Sequence, residues 1–287
     1  MKTSLFAADT IGDGVTQACR SATKMGRSAG SVVGTFSSGF YVRVAETLFA
    51  VGGQRKISPG PIHLTLKTLP RFPPEQSVVH FEPARLLIKT GIIDLSSAAR
   101  YQPAQPLPAR LRRIVPVLAK LYTPDAVPQD IAHVWSSTED AIRRCDLNEA
   151  QKLLQGLGGG LTPTGDDVLA GLLLFSHWAD PGSNEPADIA RQAATTNLSR
   201  CFLNWAAIGQ SIQPVHDLLW AAEPIKSGAS PTSSMMAQAK WATAVNRVAS
   251  IGHSSGRAIL VGLGLAASMH GSRKEAKLAS AGFKTFA

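Results

Sequence analysis

Apolar and polar positions divide the chain into two regimes. Within residues 31–93 the apolar residues come in short β-branched and aromatic runs, at 40–44, 47–51, 62–66, 78–81 and 86–88. Gly52-Gly53, Pro59-Gly60-Pro61 and the prolines of 70–74 punctuate them, and Ile62, Leu64 and Leu66 alternate with polar neighbours as a half-buried strand requires. These runs predict a small antiparallel sheet or barrel. From residue 109 onward the spacing turns helical, predicting helices over 109–122 (kinked or ended at Pro116), 129–144, 147–155 behind an Asp146 cap, 187–209, 215–222, 232–249 and 256–270, with another beginning at Asp166. Between the regimes, residues 101–108 carry three prolines, which resist both helix and central strand and mark the boundary. The expected fold is therefore α+β: a small antiparallel β-rich N-terminal domain at 1–103 and a mostly α-helical domain at 104–287. Residues 1–28 show only a weak helical pattern over 9–25, broken by Gly12 and Gly14.

One stretch fits neither pattern. Residues 156–167 read Gly-Leu-Gly-Gly-Gly-Leu-Thr-Pro-Thr-Gly-Asp-Asp, with five glycines in twelve positions, and lead into the apolar run 168–175. Such a segment buries little apolar area, so it is a loop that delivers the chain into a buried helix. The first N–H groups of a helix have no partner inside it and favour negative charge, and glycines allow a ligand close to the backbone. An anion site follows, with Gly158, Gly159, Gly160, Thr162, Thr164 and Gly165 as binding residues. Thr164 and Asp167 also fit a capping box, in which each satisfies the other's backbone donor. That leaves Asp166 unexplained, and it is the candidate catalytic carboxylate, acting as an ionised acceptor for a substrate N–H or a metal; Asp167 is included as a binding residue.

A second glycine turn, at 252–256, precedes the apolar helix 256–270. Its Gly-x-Ser-x-Gly spacing matches a hydrolase nucleophile elbow, but the preceding residues are helical and too little chain follows to supply a triad. A better account compares 164–174 with 255–265, where five of eleven positions are identical. Both segments place a glycine at the same depth, Gly171 and Gly262, so the two helices can cross closely with their N-termini facing one pocket. His253, Ser254, Ser255 and Gly256 are therefore candidate binding residues. Ser199 joins them from the polar group Thr195-Thr196-Asn197-Leu198-Ser199, which interrupts an otherwise apolar helical pattern.

Composition narrows the partners. Lysine and arginine exceed the acids by nine, which favours anionic ligands, yet apart from Arg110-Leu111-Arg112-Arg113 and Arg273-Lys274 the basic residues are scattered. No aromatic-basic stripe or binding module indicates nucleic acid. The longest apolar runs fall short of the roughly 20 residues a bilayer crossing needs, and Met1-Lys2-Thr3-Ser4 leads into no signal-like block, so a cytoplasmic protein with no membrane partner is expected. Cys19, Cys145 and Cys201 are odd in number and lack CxxC spacing, which argues for burial rather than a disulfide framework or zinc site. No cofactor and no metal is assigned.

The residues 158–167 and 169–173, followed by 196–199 and 252–256, resemble a bacterial domain-of-unknown-function family that includes a subunit of the oxamate carbamoyltransferase complex. The likeness extends more weakly to the strands near 36–44 and the Gly60-Pro61 turn. The family more often has Pro where Gly159 stands, Ser at Thr164, Phe at Val168 and an acidic or small residue at Arg257. The resemblance implies a role in purine or allantoin nitrogen breakdown, in which oxalurate and phosphate exchange with oxamate and carbamoyl phosphate. It also implies partner subunits. Two other classes fit the motif: a small-molecule kinase, because Thr-x-Thr-Gly-x-Asp is similar to the anion hole of ribokinase-like enzymes, and a non-catalytic regulatory subunit that binds an anionic metabolite.

Overall fold

The computed structural model describes residues 4–24, 29–222 and 230–270. It divides into two compact units, one formed by Met1–Ala104 with Gln210–Gln213 and the other by Gln105–Gly209 with Pro214–Ala287.

The first unit is a closed sheet. Its strands are β1 (Leu5–Ile11), β2 (Ala29–Phe36), β3 (Gly39–Val44), β4 (Thr47–Gly53), β5 (His63–Leu66), β6 (Val78–Glu82), β7 (Arg85–Ile88), β8 (Gly91–Asp94) and β9 (Ala99–Arg100). They run in the order β5-β4-β3-β2-β6-β7-β8-β1-β9, and an additional β5–β1 pairing closes the ring, leaving β9 beside β1. Closure removes the exposed edges an open sheet would carry. Five of the strands coincide with the apolar runs of the sequence. Most pairings are antiparallel as expected, whereas β1–β8, β1–β9 and β4–β5 are parallel. Inside the sheet Val32, Phe40, Val42, Phe49, Leu64, Leu66 and Leu86 are fully buried.

The N-terminal stretch corrects the sequence reading. Residues 9–25 were expected to be one weak helix, but Asp9, Thr10 and Ile11 belong to β1, and α1 (Asp13–Lys24) begins only after Gly12; Met25 lies outside the described residues. Thr10 and Ile11 pair with Thr65 and Leu64 of β5, so tertiary pairing overrides the weak local pattern. Gly12 makes the turn possible, because a Cβ there would lie 2.2 Å from the Pro61 carbonyl oxygen.

In the second unit the helices are α2 (Pro108–Leu118), α3 (Ala132–Arg143), α4 (Leu147–Leu154), α5 (Thr164–Ala179), α6 (Glu185–Gln192), α7 (Asn197–Ala206), α8 (Gln213–Ala221), α9 (Pro231–Ala249) and α10 (Ser255–Ser268). Short 3-10 turns at Ala119–Leu121, Pro124–Ala126 and Gln129–Ile131 join α2 to α3. Every described strand lies within residues 5–100, so the described residues of this unit form helices and loops with no strand. Two elements are buried almost from end to end, α5 and α10, and they pack on each other at the centre. Helices apolar on all sides belong in the middle of a core. Around the pair stand α2, α4, α6, α7 and α9.

Two helix predictions needed correction. Pro116 lies inside α2, with the helix running on to Leu118 before it tightens into a 3-10 turn. The long helix expected over 187–209 is two helices, with Thr195 and Thr196 of the polar group in the break between them and Asn197 to Ser199 in the first turn of the second. Thr196 is the N-cap of α7, its hydroxyl accepting from Ser199 N at 3.1 Å. Threonine competes for backbone donors in this way and starts a helix more readily than it continues one. Asp146 caps α4 as expected, accepting from Glu149 N at 2.9 Å. The three cysteines form no disulfide and are half-buried, not fully buried as expected.

Candidate functional site

The centre of the helical unit is built by two similar helix starts. Gly165, one residue into α5, lies against the last turn of α4, where a Cβ would stand 2.0 Å from the Leu154 carbonyl oxygen. Gly256, one residue into α10, lies equally close to the end of α9, with a Cβ 1.8 Å from the Val248 carbonyl oxygen. Each glycine also gives its N–H to the preceding turn, Gly165 to Leu157 O at 2.9 Å and Gly256 to Ile251 O at 3.0 Å. Further along, Gly171 and Gly262 meet face to face: a Cβ on Gly171 would lie 2.4 Å from Ile259 O, and one on Gly262 2.1 Å from Val168 O. The sequence echo is thus an echo in space. Only residues without a Cβ let two backbones approach so closely, and the crossing brings both N-termini to the same end.

At that end Thr162 Oγ1 and Ser255 Oγ stand 3.1 Å apart. The loop before α5 is shaped by positive φ at Gly156, Gly158 and Gly160, a backbone region costly for other residues. Gly158 is also hemmed in, since a Cβ there would stand 2.5 Å from Asp130 Oδ2, whereas nothing lies within 4 Å of the corresponding position on Gly159 or Gly160. Gly158, Gly159, Gly160 and Leu161 are exposed. Among the described residues, no backbone N–H from Gly158 to Thr162 donates to another backbone carbonyl. The free donors therefore sit in the loop more than in the first turn of α5, where Gly165, Asp166 and Asp167 already give their N–H groups to Leu157 O or Pro163 O.

The two aspartates differ from what the capping argument expected. Pro163, not Thr164, is the N-cap of α5, and no side chain caps it. Thr164 instead donates its hydroxyl to Asp130 Oδ2 at 2.6 Å. Asp166 uses both carboxylate oxygens inside the protein: Oδ1 accepts the Gly156 N–H at 2.9 Å and Oδ2 accepts the Thr195 hydroxyl. It thereby ties the glycine loop to the start of α7, as does Thr196, which donates to Leu161 O at 2.8 Å. Asp167 is 6% exposed and its Oδ2 has no hydrogen-bond partner. Burial pushes its carboxyl up from 3.8 to about 7; the Ser255 and Thr162 hydroxyls pull it down in part, and the nearby Asp166 charge raises it further.

The remaining candidates are distributed around this end. Ser199 is 1% exposed and its hydroxyl is also unpartnered. Ser254 precedes α10 without making a side-chain cap, and with Arg257, Asp125, Val127, Pro128 and Leu260 it lines a cleft of about 390 Å³. His253 is exposed. Sequence reasoning missed Asp130, which no motif marks. It also passed over Thr195 within the polar group in which it expected an inward-facing side chain. Among the described residues no three His, Cys, Asp or Glu side chains gather as a metal site would require, and no helix is long and apolar enough to cross a membrane.

Residues 154–267 match the family model of the oxamate carbamoyltransferase subunit AllH. The matched segment, less than half of the chain, contains both glycine-rich helix starts, both aspartates and the Gly171–Gly262 crossing. The AllH match supports the resemblance read from residues 158–173 and 252–256 and places the chain's likeness in the helical unit. Comparison with curated proteins and with solved structures gave no match. The ribokinase-like alternative wants a strand leading into the motif; here the helix α4 leads into it.

Proposed function

We propose that this chain is a subunit of a carbamoyltransferase that interconverts oxamate plus carbamoyl phosphate with oxalurate plus phosphate, and that it holds the anionic substrate where α5 and α10 begin. The observation that carries this reading is the meeting of two glycine-rich helix starts at Thr162 and Ser255, inside the segment that matches AllH.

Two helix N-termini directed to one place add their partial positive charge, and the unpaired N–H groups of 158–162 supply donors for phosphate oxygens. Gly159 and Gly160 leave room for a ligand against the backbone. Arg257, within one helical turn of Ser255, offers a guanidinium in the adjoining cleft for the carboxylate that oxamate and oxalurate both carry. The same donors stabilise the oxyanion that develops when the carbamoyl carbon is attacked. Oxamate, oxalurate and carbamoyl phosphate are all anions, in keeping with the chain's net charge of +9.

The test is an assay of the purified protein alone and then with its partner subunits for phosphate-dependent cleavage of oxalurate. Cleavage that requires this chain supports the proposal. ATP turnover by the chain alone would favour a kinase, and ligand binding without turnover in any combination would favour a regulatory subunit.

A further inference from the structure

Asp166 and Asp167 are adjacent in sequence and both are buried, yet they are placed for different work. Asp166 has each oxygen occupied by a group of the protein, one from the loop and one from Thr195 before α7. It positions the glycine loop. Asp167 keeps a buried oxygen without a partner, at the end where the Thr162 and Ser255 hydroxyls meet. A buried, unsatisfied carboxylate oxygen is costly to keep, and such costs concentrate where a ligand completes the site.

We infer that Asp167, rather than Asp166, is the carboxylate that accepts the proton of the oxamate amide as its nitrogen attacks carbamoyl phosphate, an inference that rests on the carbamoyltransferase reading. An amide nitrogen is a weak nucleophile and must lose a proton as it is acylated. A bond forms between the oxamate nitrogen and the carbamoyl carbon, and the bond from that carbon to the phosphate oxygen breaks, its electron pair leaving with phosphate. The N–H proton passes to Asp167 Oδ2. In the direction of oxalurate cleavage the protonated Asp167 returns the proton to the nitrogen as phosphate attacks.

A carboxyl group that titrates near neutrality serves both directions, since it is substantially present as base and as acid. Asp166 is the ionisable neighbour that acts on it; Asp130, from the turn before α3, is bonded to Thr164, and Arg257 of α10 lines the cleft. The Thr162 and Ser255 hydroxyls, 3.1 Å apart at the two helix starts, favour the ionised form in part.

The test uses the assembled complex with its partner subunits and compares wild type, Asp167→Asn and Asp166→Asn across pH in phosphate-dependent oxalurate cleavage. Asp167→Asn is expected to lower kcat by about 10²–10⁴-fold with the KM for phosphate changed only a few-fold, and to abolish the ionisation near pH 7 in the profile of kcat/KM. Asp166→Asn, acting through the loop, is expected to raise KM and lower stability while that ionisation remains. An active wild-type complex whose Asp167→Asn variant keeps its rate and pH profile overturns the role of Asp167 and leaves the carbamoyltransferase reading intact. A wild-type complex that does not cleave oxalurate overturns the reading itself, and with it this reaction for Asp167.

Discussion

A carboxyl group kept for chemistry carries a cost in stability, and at Asp167 that cost has a definite pH dependence. Its folded pKa is raised from 3.8 to about 7. The sign follows from linkage: the folded state binds the proton more tightly than the unfolded state, so this group's contribution is fully present below pH 3.8 and is lost as pH rises through about 7. A displacement of this size corresponds to roughly 4 kcal/mol once the group is ionised in both states. Between pH 5 and 7.5 the loss is about 2.5 kcal/mol. Asp167→Asn removes the titration and retains the shape. Its stability relative to wild type should therefore rise by about 2–3 kcal/mol over that interval, while its catalytic rate falls. All five tryptophans lie between residues 135 and 241, so tryptophan fluorescence during urea unfolding reports on the unit that contains the site. Parallel stability curves for wild type and variant between pH 5 and 7.5, or a variant that loses stability relative to wild type as pH rises, would refute the assignment of a buried carboxyl with an unpartnered oxygen at this position.

Further perturbations separate packing from binding. Gly171→Ala and Gly262→Ala each push a methyl into the backbone of the partnering helix and should destabilise the helical unit by about 2–4 kcal/mol, read as a drop in Tm. Thr195→Val deprives Asp166 of a donor while Gly156 remains bound to it, and should cost roughly 1–3 kcal/mol in urea unfolding. Gly159→Ala meets no atom within 4 Å and should change stability by less than about 0.5 kcal/mol, yet raise the KM for phosphate because the methyl intrudes where the anion approaches the loop.

The strands, the helical half and the glycine-rich loop were legible because each rests on a local pattern: alternation, helical spacing and an unbroken run of small residues. The crossing of α5 and α10 was legible for a different reason. A repeated motif with a glycine at one depth needs a matching partner, and Gly171 found it in Gly262. What local pattern could not show was pairing over distance. β1 is a strand because β5 and β8 flank it, although its last residues, Asp9 to Ile11, fall in a stretch that reads weakly helical. The difference between Asp166 and Asp167 also arises at long range, from Thr195 and Gly156 on one side and Ser255 on the other. A Thr-Gly-Asp-Asp sequence read alone suggests a capping box; Asp130, about a turn before α3, takes the Thr164 hydroxyl away from that role.

An anionic substrate bound where the two helix starts meet must perturb the backbone amides around it, and ¹⁵N chemical shifts report that perturbation. Titration of the ¹⁵N-labelled protein with phosphate and then with carbamoyl phosphate should move the backbone amides of Gly158, Gly159, Gly160, Leu161 and Thr162 together with those of Ser255 and Arg257. Saturation should occur at a common concentration. Shifts confined to the basic cluster at Arg110, Arg112 and Arg113, with the loop amides unmoved at saturating ligand, would place the anion elsewhere and rule out binding at the helix starts.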